Sequence, residues 1–281
     1  MVFIVEEYND IQKSNYLAIM YNVFKHIDNT GKTVTELNRN IALMFIRKKH
    51  AGDKSDVVSH ETVKCNNNEL LMILPKITRV DEQDRSCIYI SGASGNGKSF
   101  LVNSISKLYH NFYPQNKLFF LTTNNFLEDR SLTHSIYKPI KMDLFIDTLE
   151  EKSEEWSHTP YFKNCLMIYD DIGALKNPKQ EKTLWKYIDM TLENHRKFST
   201  SIIVISHIST NYRQTALITR ESSWYCVFPQ NLQVKSDRML HHYLGLNKKQ
   251  IDRICGSKSR WVAIGCKEKV IITQDEIYSL I

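Results

Sequence analysis

Residues 87–99 read CIYISGASGNGKS, and residues 100–110 continue FLVNSISKLYH. Three of the chain's nine glycines fall within six positions of this stretch, at 92, 95 and 97. The segment matches G-x-x-x-x-G-K-[ST] at every fixed position, with Gly92, Gly97, Lys98 and Ser99. The apolar CIYIS run reads as a buried strand, and the run after the glycines reads as a helix with Leu101, Ile105 and Leu108 on one face. Strand, glycine loop and helix in that order are the context this pattern requires for phosphate binding. Glycines let successive N–H groups turn inward without a Cβ clash, and the start of the helix adds partial positive charge. Gly92, Ala93, Ser94, Gly95, Asn96, Gly97, Lys98, Ser99 and Phe100 are therefore the expected cradle for ATP. Lys98 would reach the β- and γ-phosphates, and the Ser99 hydroxyl would ligate Mg²⁺.

A cradle of this kind needs an acid at the end of a second buried strand. Residues 166–171, LMIYDD, supply one. Asp170 would hold Mg²⁺ directly or through water, and Asp171 would orient or deprotonate the attacking water. A glutamate is commoner in that second role, and the aspartate is one methylene shorter. Two acids capping a strand at a turn are the plainer reading of the same residues. The apolar run SIIVIS (201–206) ends at His207. In the usual strand order a polar residue there lies between the two motif strands, where it could touch the γ-phosphate or the water, or simply cap the loop. Arg196 follows a helical run carrying Leu184, Tyr187, Ile188 and Leu192. An arginine at such a rim can serve a neighbouring subunit's site, or can merely sit at a helix C-terminus where cations suit the dipole. Arg213 and Arg220 are rival candidates.

Away from these motifs, short apolar runs at 87–91, 118–122, 166–169, 201–206 and 224–228 alternate with helical patterns. Such alternation predicts an α/β fold of RecA-like P-loop type, with a mostly parallel sheet flanked by helices. Residues 51–68 are polar and suit a linker. Before them, Leu17, Met20, Tyr21, Phe24 and Ile27 recur at helical spacing, and Leu37, Ile41, Met44 and Phe45 do so again after Thr33 and Glu36, which have capping-box spacing. This predicts two helices, either a DNA-binding pair or a packed helical hairpin. The C-terminal residues 260–281 alternate like a hairpin turning near Lys267-Glu268, followed by a short helix. The expected division is a helical arm at 1–65, a P-loop core at 66–235 and a basic extension with a hairpin at 236–281.

Composition narrows the setting. Hydrophobic residues make up 42% and charged residues 24%, as in ordinary globular proteins. No apolar run reaches the roughly 18 residues of a membrane-spanning helix. The start MVFIVEEYND has neither a basic n-region nor an apolar h-region, so a soluble intracellular protein is expected. The six cysteines form no CxxC pair, which argues for reduced buried thiols rather than zinc. The net charge is +6, and residues 235–269, with nine Lys/Arg against three acids, carry an excess of the same size. A basic block either meets a polyanion, nucleic acid first, or is a solvated face. Trp261, Tyr243 and His241-His242 could stack on bases there, although core or hairpin positions are the commoner fate of such residues.

Taken together, IYISGASGNGKS, LMIYDDIG and NHRKFSTSIIVISH, with the leading ELLMILPKITRVDEQDRS, resemble the genome-packaging ATPases of double-jelly-roll DNA viruses, of poxvirus, large-virus and virophage type, within the FtsK/HerA superfamily. The similarity spans about residues 70–230. It implies an ATP-driven motor that moves double-stranded DNA into a preformed capsid. Such a motor would form a homo-oligomeric ring, pentamer or hexamer, at a capsid vertex, working in the host cytoplasm at the viral factory or in the virion. Carried over by position, the resemblance implies nucleotide binding at the 92–99 loop, Mg²⁺ at Asp170, catalysis by Asp171 and a trans-acting finger at Arg196. His207 stands where the wider superfamily has glutamine or asparagine. A helicase-loader-like or replication-associated ATPase and a nucleotide-dependent assembly switch share the same cradle. A kinase fits less well, because no acceptor-binding or Arg-rich lid motif follows the P-loop helix.

Overall fold

The computed structural model describes residues 2–7, 16–27, 33–47, 61–62, 70–75, 87–151, 162–207, 220–231, 239–242, 244–265, 270–273 and 276–279. Its backbone contacts divide the chain into two units: residues 1–76 with 257–281, and residues 77–256.

In the first unit, β1 (Val2–Glu7), β2 (Tyr16–Ile27), β3 (Thr33–Arg47) and β5 (Leu70–Pro75) form an antiparallel sheet in the order β1-β3-β2-β5, and β4 (Glu61–Thr62) lies outside it. The helices expected over 11–27 and 33–49, and with them the helical N-terminal arm, are therefore corrected to strands. The physical reason lies in the density of apolar residues. Leu17, Met20, Tyr21, Phe24 and Ile27 satisfy a helical period, but Leu17, Ile19, Tyr21 and Val23 also alternate, with β-branched residues among them. Thr33, read as a helix cap, instead pairs with Ile27 across the five residues that join β2 to β3. That short connection contains Asp28, Asn29 and Gly31, which is hairpin chemistry.

The second unit carries β6 (Cys87–Ser91), β7 (Lys117–Thr122), β8 (Lys138–Lys141), β9 (Cys165–Asp170), β10 (Thr200–Ser206) and β11 (Trp224–Val227). They pair in the order β11-β6-β10-β9-β7-β8, and every pairing is parallel. Strands β6, β9 and β10 are buried along almost their whole length, as continuous apolar runs in a sheet covered on both faces must be. The helices are α1 (Lys98–Phe112), α2 (Met142–Glu151), α3 (Pro178–Phe198) and α4 (Lys248–Cys255). Helix α1 buries Leu101, Ile105 and Leu108, and α3 buries Leu184, Tyr187, Ile188 and Leu192. The parallel sheet flanked by helices that the alternation predicts is present.

The C-terminal residues belong to the first unit. Strand β12 (Val262–Gly265) pairs antiparallel with β13 (Val270–Ile272), which is the expected hairpin. The short helix expected after it is instead β14 (Glu276–Ser279), paired antiparallel with β13 and with β4.

Register in the parallel sheet sets the geometry of one edge. Ser206 of β10 faces Ser91 of β6, Ile205 faces Asp170 of β9, and Thr122 of β7 faces Asp170. The ends of four strands thus meet level at the carboxyl edge, the edge where ligands bind in open α/β sheets.

Candidate nucleotide site

The cradle is built by local chain geometry. Gly97 caps α1 with φ 97°, a left-handed conformation that glycine adopts without strain. Gly92 is needed for space: a Cβ there would lie 2.7 Å from Cδ2 of Phe228, the residue just after β11. The Gly92 amide donates to the Ser206 carbonyl at 3.2 Å, which ties the start of the loop to β10.

Lys98 is folded back into this loop and is only 8% exposed. Its Nζ donates to the Gly92 and Ala93 carbonyls at 2.8 and 2.9 Å and lies 3.2 Å from Nδ1 of His207. Burial lowers its pKa, and the nearby charges of Asp170 and Asp171 oppose that shift. Phosphate oxygens would replace the two carbonyl acceptors with stronger, charge-assisted partners.

The two acids beyond β9 sit in different environments. Asp170 ends the strand, and its Oδ2 accepts from the Thr122 hydroxyl at 3.3 Å. Burial and the adjacent Asp171 push its carboxyl up to about 6, with Asp129 adding to the rise and Thr122 and Lys98 opposing it. Asp171 turns out of the sheet with φ 54°, left-handed backbone that is uncommon for a residue with a side chain and recurs at functional sites. Its Oδ2 lies 3.4 Å from Nε2 of His207. The His207 ring thus lies between the two, with Nδ1 toward Lys98 and Nε2 toward Asp171.

The structure brings together Gly92, Lys98, Asp170, Asp171 and His207 as the sequence predicts, with β10 between the two motif strands. It also adds Asp129, from the connection between β7 and β8, whose charge contributes to the raised pKa of Asp170. No motif surrounds Asp129 in the sequence; the only signal is a polar loop following an apolar strand. The Arg196 backbone lies in the last turn of α3, and its side chain is outside the described residues, as is Arg213. Arg220 is exposed and lies 3.4 Å from Glu221. Trp261 is buried, in keeping with a core role, while Tyr243 lies outside the described residues. His241 and His242 are exposed and pack edge-on against each other. Lys248, Lys249 and Arg253 of the basic block are exposed on α4. Among the described residues no helix is long and apolar enough to cross a membrane.

The family comparison covers the same part of the chain. Residues 66–205 match the KAP family P-loop domain. The uncharacterized protein V3 of Sputnik virophage is 29% identical over 182 residues, 64% of this chain and 71% of that protein. Among solved structures, the genome packaging NTPase B204 of Sulfolobus turreted icosahedral virus 2, in complex with ATPγS, is 12% identical with a TM-score of 0.49, covering 68% of this chain and 97% of that one. The pCW3 conjugation coupling protein TcpA, in a monomer form with ATPγS, is 10% identical with a TM-score of 0.47, covering 98% of this chain and 89% of that one. The cradle and the acidic strand both lie inside the residues that match the KAP family P-loop domain.

Proposed function

We propose that this protein is an ATP-hydrolysing motor that translocates double-stranded DNA into a viral capsid, acting as a homo-oligomeric ring at a capsid vertex in the viral factory or the virion. The observation that carries the hydrolytic part is the Lys98–His207–Asp171 chain, which sets a carboxylate opposite the phosphate-binding lysine. A site that only binds nucleotide has no need of a second acid held at that distance. In this reading Lys98 moves from the loop carbonyls to the phosphates, Asp171 orients and deprotonates the water, and His207 senses whether Lys98 has moved. The donors present suit Mg²⁺: a serine hydroxyl and a carboxylate are hard oxygen ligands, and Mg²⁺ takes few such protein ligands while keeping several waters. Asp170 fits best, since its raised pKa marks a buried carboxylate crowded by like charge that a cation would relieve. Bound there, Mg²⁺ would neutralise charge developing on the phosphates.

The packaging part is supported by the resemblance of the three motif runs and by the basic block. Backbone phosphate binding is electrostatic and independent of sequence, as a motor that moves any DNA requires. Exposed Lys248, Lys249 and Arg253 on α4 are its first candidates. Arg196 is assigned as the residue that completes a neighbouring subunit's site.

The test is the steady-state ATPase rate per subunit against protein concentration, with and without double-stranded DNA. The motor reading requires the rate to rise with both. A rate flat in concentration and indifferent to double strands, or responsive only to single strands, would transfer the chain to the loader or switch class. Arg196→Ala should lose the concentration-dependent part, and mixing with an Asp171→Asn subunit that retains Arg196 should restore it.

A further inference from the structure

Gly92 is held on three sides. Its amide donates to the Ser206 carbonyl at 3.2 Å, and its carbonyl accepts from Lys98 Nζ at 2.8 Å. The third side is the Phe228 ring, which fills the space a Cβ would take: such an atom would fall 2.7 Å from Cδ2 and 3.3 Å from Cγ. Phe228 is buried and follows β11, which pairs with β6, the strand that runs into the cradle. Pro229 comes next and opens a 3-10 turn, Pro229–Asn231. The pyrrolidine ring fixes φ at Pro229 and restricts the backbone of Phe228, so a shift of the Phe228 ring passes into the turn instead of being absorbed. Helix α4 packs beside that turn.

Helix α4 is itself framed as one piece. Asn247 and Gln250 close its N-terminus with a capping box, and Ile251 and Ile254 are buried beneath it. The chain leading into it is fastened by the Leu246 amide on the Leu240 carbonyl, and the Tyr225 hydroxyl of β11 donates to the Met239 sulfur. Strand β11 therefore reaches α4 by two routes, one of them beginning at the cradle. At the outer end stand exposed Lys248, Lys249 and Arg253. At the inner end Lys98 can bond either to the loop carbonyls, which holds the Gly92 peptide, or to phosphates, which releases it. All of these residues belong to the second unit.

We propose that Phe228 is a positioning residue that couples the cradle to α4: nucleotide draws Lys98 off the Gly92 carbonyl, the Phe228 ring moves with the released peptide, and the Pro229–Asn231 turn carries the shift to the cations that meet the DNA backbone. This rests on the nucleotide and DNA readings above. The coupling is reciprocal, so duplex DNA changes nucleotide affinity by the same factor as nucleotide changes duplex affinity.

The experiment titrates a labelled duplex of mixed sequence with the full chain by fluorescence anisotropy, in Mg²⁺, with and without a non-hydrolysable ATP analogue. Calorimetry gives the analogue's affinity alongside. Duplex affinity of the wild type should differ by at least about fivefold between the two conditions. Phe228→Leu stays apolar but withdraws the ring from Gly92. Its factor should fall to within about twofold of unity, while each ligand's affinity in the absence of the other stays within about threefold of wild type. A retained factor would overturn the proposal. So would a loss of either single-ligand affinity with the factor intact, since Phe228 would then only shape the fold. Should Phe228→Leu fail to fold, Pro229→Ala carries the test: it keeps the ring and loosens the link, and an undiminished factor there would overturn the idea equally. Lys248→Ala combined with Lys249→Ala should weaken duplex binding and spare the analogue; unchanged duplex binding would show that the path does not end on DNA at α4. Wild-type protein that bound no analogue would instead sink the nucleotide-site reading, and one that bound analogue but no duplex would sink the DNA reading.

Discussion

The cradle and the acidic rim face each other across His207, yet they are built in opposite ways. The cradle is a run of consecutive residues whose shape follows from its glycines, Gly95 and Gly97 at positive φ and Gly92 leaving room for Phe228. The rim is assembled from three distant parts of the chain: Asp129 after β7, Asp170 and Asp171 at β9, and His207 after β10. Only the order β6-β10-β9-β7 makes them neighbours. On the proposed reading, the continuous motif binds nucleotide and the discontinuous set acts on what is bound. On this division, a cradle substitution should remove binding and everything downstream, whereas rim substitutions should spare binding and change chemistry or stability.

The largest effect is expected from Lys98→Ala. Removing the ammonium strips the cradle of the cation that binds the Gly92 and Ala93 carbonyls. Turnover should fall by at least about 10²-fold, the scale for losing one preorganised charge-stabilising donor. ADP affinity measured alongside should fall as well. Near-normal turnover would break the comparison at its root, because the cradle would then not be where nucleotide binds.

Asp171→Asn should separate the two halves. Asparagine keeps the size of the side chain and can still accept from His207 Nε2, but it cannot take a proton from water. Binding of a non-hydrolysable ATP analogue should be unchanged, and hydrolysis should drop by about 10²–10⁴-fold, the usual contribution of a positioned general base. Unchanged hydrolysis would move the base elsewhere on the rim and leave Asp171 as a turn residue.

The same division explains what could be read in the amino-acid sequence. The GASGNGKS loop and the LMIYDD strand end are contiguous, so their type and spacing were legible, and the buried parallel strands β6, β9 and β10 could be recognised as unbroken apolar runs. His207 was legible only through an assumed strand order, which the observed register of Ser206 against Ser91 supports. Asp129 was not legible, because nothing in NNFLEDRS records that Phe126 anchors the turn or that β7 lies beside β9. The N-terminal strands fail for a different reason. Between residues 16 and 47 the apolar residues are dense enough to satisfy periods of 3.6 and of 2 at once, and pairing between β2 and β3 decides what periodicity leaves open. The terminal β14 escaped notice because four residues, EIYS, are too few to establish a period.

The smallest expected effect is one on stability, and its sign is the least intuitive. Asp170→Asn should abolish cation-dependent activity, yet it should stabilise the nucleotide-free protein. The folded carboxyl titrates near 6, above its ordinary 3.8, because burial and Asp171 disfavour the charge. Between roughly pH 4 and 6 the folded state therefore holds a proton that the unfolded state has lost, so stability is highest below that window, declines as pH rises through it and levels off above. At neutral pH the cost is on the order of 2–3 kcal/mol, from about two pKa units at about 1.4 kcal/mol each. Asparagine carries no charge to desolvate, and its carbonyl can still accept from Thr122. Chemical denaturation at pH 5 and pH 7.5 should show the wild type losing stability across the interval relative to Asp170→Asn, with the variant the more stable at the higher pH. A variant no more stable than wild type at pH 7.5 would mean that the rim holds its charges at no cost. A binding site kept under electrostatic tension until its cation arrives, facing a cradle that is already satisfied, would then no longer describe this molecule.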